Sequence, residues 1–220
     1  METTTGPVRG RAAPLPPDQR RAAILLAVRP VLLERGAAVT SRELAEAAGV
    51  AEGTLFRVFT DKVTLVREAV LAAVDPADSV PELAAIDRSL PLRDRVAAVL
   101  AQGLARVGES MRWMGLLHEL ERVERPPAEH RAAAVRMWGA RQQAGAEAVN
   151  ATIAWLLEPD ADRFRLPVDD VIELLTTVLM GATMRTVEAR RRGVDTPSPD
   201  PGRLADLVLH GVLTEGSGRC

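Results

Sequence analysis

Between Thr40 and Phe59 the chain has room for two short helices and only a tight turn between them, and this stretch constrains the fold most. Thr40-Ser41-Arg42-Glu43 has the spacing of a capping box, in which the Thr40 hydroxyl accepts from the Glu43 amide while the Glu43 side chain reaches back. The pattern predicts a helix over 41–48 with Leu44, Ala45 and Ala48 facing inward. Gly49 supplies the turn, and a second short helix runs over about 51–58. Small Ala45 lets the two helices cross closely, and Val50 and Leu55 plug the crossing. Two helices joined this way form a helix-turn-helix when the second lies in a DNA major groove. A three-helix bundle with a merely solvated outer surface carries the same pattern.

Helical signals run through the rest of the chain. Aromatic residues are only 3%, Tyr is absent, and the good helix formers Ala, Leu, Arg and Glu dominate. The expected fold is all-α, with about nine helices. The first is opened by Pro16-Pro17-Asp18 and closed by Gly36, with Ile24, Ala27, Val28, Val31 and Leu32 inward and a kink at Pro30. After the motif, a helix from Lys62 carries Leu65, Val66, Ala69 and Ala73. Further helices are predicted over 91–107, 109–124, 127–157, 168–192 before Gly193, and from Asp200-Pro201 to about Leu213. Asp200 and Pro201 are a good N-cap and first-turn pair. Residues 159–167 read as a loop, and residues 1–17 hold no periodicity and read as a disordered arm. Asp75-Pro76 marks the expected boundary between an N-terminal domain, 18–74, and a C-terminal domain, 75–220.

Charge and composition narrow the functions. Residues 1–74 hold ten Lys and Arg against eight Asp and Glu, and residues 75–220 hold eighteen against twenty-two, so a slightly basic N-terminal part precedes an acidic body. The single cysteine is the last residue, Cys220, which excludes a disulfide or Cys-based zinc site within one chain. No stretch approaches the roughly 18 apolar residues that span a bilayer, and the expected location is cytoplasmic, with no membrane partner. His118-Glu119-Leu120-Glu121 is followed by Arg122, so the two-histidine zinc helix is absent. No catalytic constellation, metal site or cofactor motif is present, and the chain is not expected to be an enzyme.

The stretch TSRELAEAAGVAEGTLFRVFTDK, residues 40–62, resembles the TetR family of transcriptional repressors, and the resemblance covers about residues 20–70. A Thr-capped helix leads to Ala-Gly-Val, then to a Gly-Thr-Leu-aromatic recognition helix, then to Phe-x-x-Lys. The resemblance implies that Thr40, Ser41 and Arg42 lie at the DNA backbone. It puts Glu52, Gly53, Thr54 and Arg57 at the bases, Phe56 against the backbone or groove edge and Lys62 on a phosphate. Three residues depart from the family pattern. Ala51 stands where a Ser or Thr cap is usual, Phe56 replaces a Tyr and loses its hydroxyl, and Val58 replaces a His.

The same resemblance assigns the C-terminal domain to dimerisation and small-molecule sensing. The helix from Val168 is apolar on more than one face, and the last helix repeats this. In the family, two such helices per subunit form the dimer interface, which implies Leu175, Leu179, Ala182, Leu204, Leu207, Val208 and Val212. An ordinary core helix would look the same. A cluster of Met and Trp on the middle helices suits a pocket for a small apolar or amphipathic effector: Met111, Trp113, Met114, Leu117 and His118, with Met137, Trp138, Gln142 and Trp155. Met and Trp at helical spacing suit a core equally well. The implied partners are double-stranded operator DNA, the effector and a second copy of the chain. The alternative is a TetR-like dimeric binding module without specific DNA recognition.

Overall fold

Pro30 sets the first feature of the fold. Lacking an N–H, it divides the first predicted helix into α1 (Pro17–Ala27) and α2 (Arg29–Arg35). The break is mild: Val28 keeps right-handed angles (φ −81°, ψ −12°), and the Leu32 amide still donates to the Val28 carbonyl at 3.1 Å. The computed structural model describes the backbone of residues 16–123, 128–195 and 197–212, and their side chains apart from 123, 128–137 and 212. The arm at 1–15 and the Met137 and Val212 side chains lie outside the described residues.

The helices that follow are α3 (Ser41–Ala47), α4 (Glu52–Val58), α5 (Lys62–Ala73), α6 (Val80–Ala84), α7 (Leu92–Val123), α8 (Ala128–Leu157), α9 (Val168–Arg191) and α10 (Pro201–Val212). Ten α-helices are thus present among the described residues, with short 3₁₀ turns at Gly36–Ala38, Pro76–Ser79 and Glu158–Arg163. Two predicted helices merge: α7 runs through Gly108 without interruption. An interior Gly costs about 1 kcal/mol against Ala but still donates its N–H, so the helix propagates. The five-residue α6 has no counterpart in the sequence analysis, because its one buried side chain, Leu83, defines no period. Within the stretch 159–167, read as loop, residues up to Arg163 belong to the 3₁₀ turn Glu158–Arg163.

The chain divides between Ala69 and Val70 into two compact units, so the boundary falls inside α5 rather than after it. Unit 1 closes over Ile24, Val28, Leu32, Val39, Leu44, Leu55, Phe59, Leu65 and Val66, all buried. Its first and last helices are tied at Arg21. That guanidinium pairs with both carboxylate oxygens of Glu68, donates to the Val58 carbonyl at 2.7 Å and sits 4.5 Å over the Phe59 ring. The Phe59 ring is the apolar floor of this clamp.

Unit 2 buries an apolar core contributed by α6 to α10, with Leu100, Val96, Leu156, Leu157, Val171 and Ala205 at or near complete burial. Gly103 of α7 lets α9 come close: a Cβ there would lie 2.7 Å from a Leu179 methyl. Arg95, only 2% exposed, pairs with Asp160 and donates to the Arg88 carbonyl at 2.7 Å. Such a charge is tolerated inside because both its partners are fixed.

A polar knot holds the turn after α5. The Asp75 carboxylate accepts from the Ala77 amide at 3.0 Å and pairs with Arg141 of α8. Arg106 of α7 donates to the Asp75 carbonyl at 2.6 Å, and Gln142 donates to the Val74 carbonyl at 3.0 Å. These side chains satisfy carbonyls that the end of a helix leaves without backbone partners. Gly145 makes room for the turn, since a Cβ there would stand 2.9 Å from the Ala77 nitrogen. Among the described residues, no helix is long and apolar enough to cross a membrane, and no group of three His, Cys, Asp or Glu is arranged to hold a metal.

Candidate nucleic-acid interface

The capping box forms as its residue types dictate. The Glu43 amide donates to the Thr40 hydroxyl at 3.2 Å, and the Thr40 amide donates to the Glu43 carboxylate at 2.8 Å. Arg35 joins from the end of α2, with its guanidinium 2.6 and 2.9 Å from the same carboxylate. The Thr40 amide first, then Arg35 and the Thr40 hydroxyl, hold the Glu43 carboxyl down to about 2. At the other end of α3, Gly49 adopts φ +65°, a left-handed conformation that costs a non-glycine residue energy. The turn is closed by the Val50 amide donating to the Ala45 carbonyl at 3.0 Å.

Leu55 then seats α4 in the unit 1 core, fully buried, while Val50 is half-buried beside the turn. With Leu55 turned inward, Glu52, Gly53 and Arg57 are exposed and Thr54 and Phe56 half-buried. Ala51 occupies the cap position without a side-chain hydrogen bond, as its methyl requires. The predicted base-facing residues therefore share one short, anchored helix.

The residues expected at the backbone are already engaged within unit 1. Thr40 is exposed but its hydroxyl belongs to the capping box, and Ser41 is half-buried. Arg42 pairs with Glu46 one turn on, at 2.9 Å. Lys62 opens α5 and donates to the Val39 carbonyl at 3.3 Å. The Arg21 clamp escapes sequence reading, because its partners lie 37 and 47 residues away.

In unit 2 the expected effector residues separate into distinct environments. On α7, Trp113 and Leu117 are buried, Met111 is half-buried, and Met114 and His118 are exposed. The Trp113 indole donates to Glu109 at 3.3 Å. On α8, Trp138 is half-buried and its indole nitrogen is inaccessible with no hydrogen-bond partner among the described residues. Gln142 serves the knot beside Val74. Trp155 is not brought to these residues: it lies about 25 Å further along α8 and is stacked at 4.5 Å by the Arg88 guanidinium. An open groove of about 400 Å³ lies elsewhere, lined by Met184, Arg185, Glu188, Ala189, Arg192 and Val194 at the end of α9.

The expected dimer residues also divide. Leu175 and Val208 are buried in the unit 2 core, Leu179 and Leu204 pack against it half-buried, and Ala182 is half-buried. A residue used inside its own subunit has little surface left for a second one, so Leu175 and Val208 are corrected to core positions. Leu207, 64% exposed, and the unpredicted Met180 and Met184, 46% and 56% exposed, form the accessible apolar surface of α9 and α10.

Comparison with known proteins agrees with this geometry. Residues 24–69 match the profile of bacterial regulatory proteins of the tetR family. No curated protein matches the chain in sequence. Among solved structures, a candidate TetR-family transcriptional regulator of Mesorhizobium loti is similar with a TM-score of 0.59 at 12% identity, covering 91% of this chain and 100% of that one. NalD, the secondary repressor of the MexAB-OprM multidrug efflux pump in Pseudomonas aeruginosa, is similar with a TM-score of 0.51 at 21% identity, covering 90% of this chain and 98% of its own. A candidate TetR-family regulator from a Rhodococcus species gives 0.51 at 21% identity, over 89% and 100%. At these identities the structures speak for the fold, and the profile speaks for residues 24–69. Residues 24–69 thus match the helix-turn-helix domain of the tetR family of bacterial regulatory proteins, and the chain has the fold of solved TetR-family regulators along most of its length.

Proposed function

We infer that the protein regulates transcription as a homodimer, occupying a palindromic operator until a small molecule binds unit 2. The observation that carries this is the outward face of α4: Leu55 anchors the helix while Glu52, Gly53 and Arg57 are left exposed beside Phe56. Side chains so placed near the start of a recognition helix meet base edges, and Lys62 and Arg42 flank them for the phosphates. In a dimer the two α4 helices would sit about 34–36 Å apart, in successive major grooves. NalD is a repressor, and repression is the direction proposed for this chain.

The exposure of Met180 and Met184 on α9 and of Leu207 on α10 supports dimerisation through these helices. The effector is an apolar or amphipathic molecule held between α7 and α8, against Met111, Met114 and Leu117 and with Trp138 as the donor to its acceptor group. The inaccessible indole N–H, which has no hydrogen-bond partner among the described residues, supports this role. An effector that binds one dimer state more tightly shifts the population and releases DNA.

The experiment is titration of the protein against DNA from its own upstream region and from a genome-wide selection, at two salt concentrations with random competitor. A specific complex should form, weaken steeply with salt, and be lost on Arg57→Ala and weakened on Lys62→Ala. Absence of any preferred sequence in both pools would overturn operator binding and leave a dimeric ligand-binding module.

A further inference from the structure

The geometry points to Glu52 as a base-reading residue that selects cytosine at one position of each operator half-site; this rests on the DNA-binding reading above. Charges on α3 and α4 are otherwise mostly committed. Arg42 and Glu46 hold each other at 2.9 Å, and Glu43 is held by Thr40 and Arg35. Glu52 and Arg57 are both exposed, and Glu52 lies near enough to Arg42 to add to the raising of its pKa while Arg42 itself is held by Glu46. The surface of α4 thus presents one acceptor-only group and one donor-only group.

An acceptor-only group has few places to go on a duplex. Phosphates repel it. In the major groove, guanine offers the acceptors N7 and O6, and thymine offers O4 and a methyl. Adenine sets its N6 donor beside the N7 acceptor, which repels a carboxylate. Cytosine alone presents a donor, its N4 amino group, with no acceptor on its own edge. Glu52 lies beside Gly53, where a Cβ would meet no heavy atom within 4 Å. The backbone at the start of α4 is therefore open to close approach, which brings the two-methylene reach of Glu52 to a base edge.

The test is selection from a random duplex library, followed by sequencing, with the full chain and with Glu52→Gln and Glu52→Ala. The wild-type protein should prefer cytosine at one half-site position by roughly 5- to 150-fold, the factor a good base contact supplies. Glu52→Ala should lose that preference and keep the others. Glu52→Gln should move it to adenine, whose N6 and N7 pair with a carboxamide. An unchanged motif in both variants would overturn the inference alone, as would a wild-type preference for another base at the affected position. A uniform gain in affinity on Glu52→Ala, with the motif intact, would mark Glu52 as a repelling charge and also overturn it. No enriched sequence for the wild-type protein would overturn the DNA-binding reading and this inference together.

Discussion

The guanidinium of Arg141 on α8 grips the carboxylate of Asp75, the residue that starts the turn after α5. Asp75 is almost wholly buried whereas Arg141 is largely exposed, so the pair orders the turn from its inner side. Gly145, one helical turn beyond Arg141, leaves the space that the turn fills. Gly145→Ala drives a methyl against backbone that cannot rotate away, and should destabilise unit 2 by about 1–3 kcal/mol. Urea unfolding followed by circular dichroism checks this, with the exposed Gly139→Ala as a variant expected to be neutral or mildly stabilising.

The buried Arg95 separates costly from cheap ion pairs. Asp160→Ala leaves a 2% exposed guanidinium without its carboxylate and should cost about 3–5 kcal/mol. Asp206→Ala breaks the exposed pair with Arg93, 2.6 Å long, and should lower the thermal midpoint far less. Thermal midpoints of the two variants, measured side by side, test the ordering.

Glu43 makes the capping box sensitive to acid. Its carboxyl titrates at about 2 in the folded chain, below an ordinary glutamate near 4.5, so the folded state favours the ionised form. The stabilisation is fully present above the ordinary value and is lost as pH falls from there through about 2. The gap in thermal midpoint between the wild-type protein and Glu43→Gln should therefore be largest near pH 6 and shrink towards pH 2. A gap that stays constant over this range would count against the linkage.

Ala51 leaves the start of α4 without a side-chain cap. Its backbone angles, φ −69° and ψ 146°, already suit a cap residue. Ala51→Ser should stabilise unit 1 by about 0.5–2 kcal/mol, read as a higher unfolding midpoint.

Leu207 tests the dimer surface. Being 64% exposed, it contributes little to the unit 2 core, so Leu207→Glu should preserve helical content. Sedimentation should show the wild-type chain as a dimer and this variant shifted to monomer. A wild-type monomer at micromolar concentration would remove the basis for a palindromic operator.

Local chemistry was the part legible in the sequence. Thr40 and Glu43 stand three apart and cap α3, and Gly36 and Gly49 take positive φ where turns were expected. Asp200 accepts from the Gly202 amide at 2.9 Å at the start of α10, as its pairing with Pro201 suggested. The motif on α4 was equally readable, because period and spacing fix which residues share a face. What escaped the sequence depends on partners far along the chain. Periodicity marks Leu175, Val208 and Leu207 alike as apolar, and only the packing of α10 on α7 and α9 separates core from surface. Trp113 and Trp155 look equivalent as letters, yet one is buried and the other lies under Arg88.

The Arg21 clamp has a kinetic meaning. Its partner Glu68 lies 47 residues away, across most of the described part of unit 1, so the contact requires the helices between them to be closed first. The Thr40–Glu43 box and the Gly49 turn join near neighbours and need no such closure. The order of assembly is then local hairpin of α3 and α4 first, clamp last. Arg21→Ala should accordingly leave the refolding rate nearly unchanged and speed unfolding, which makes Arg21 a determinant of how long unit 1 stays folded rather than how fast it gets there.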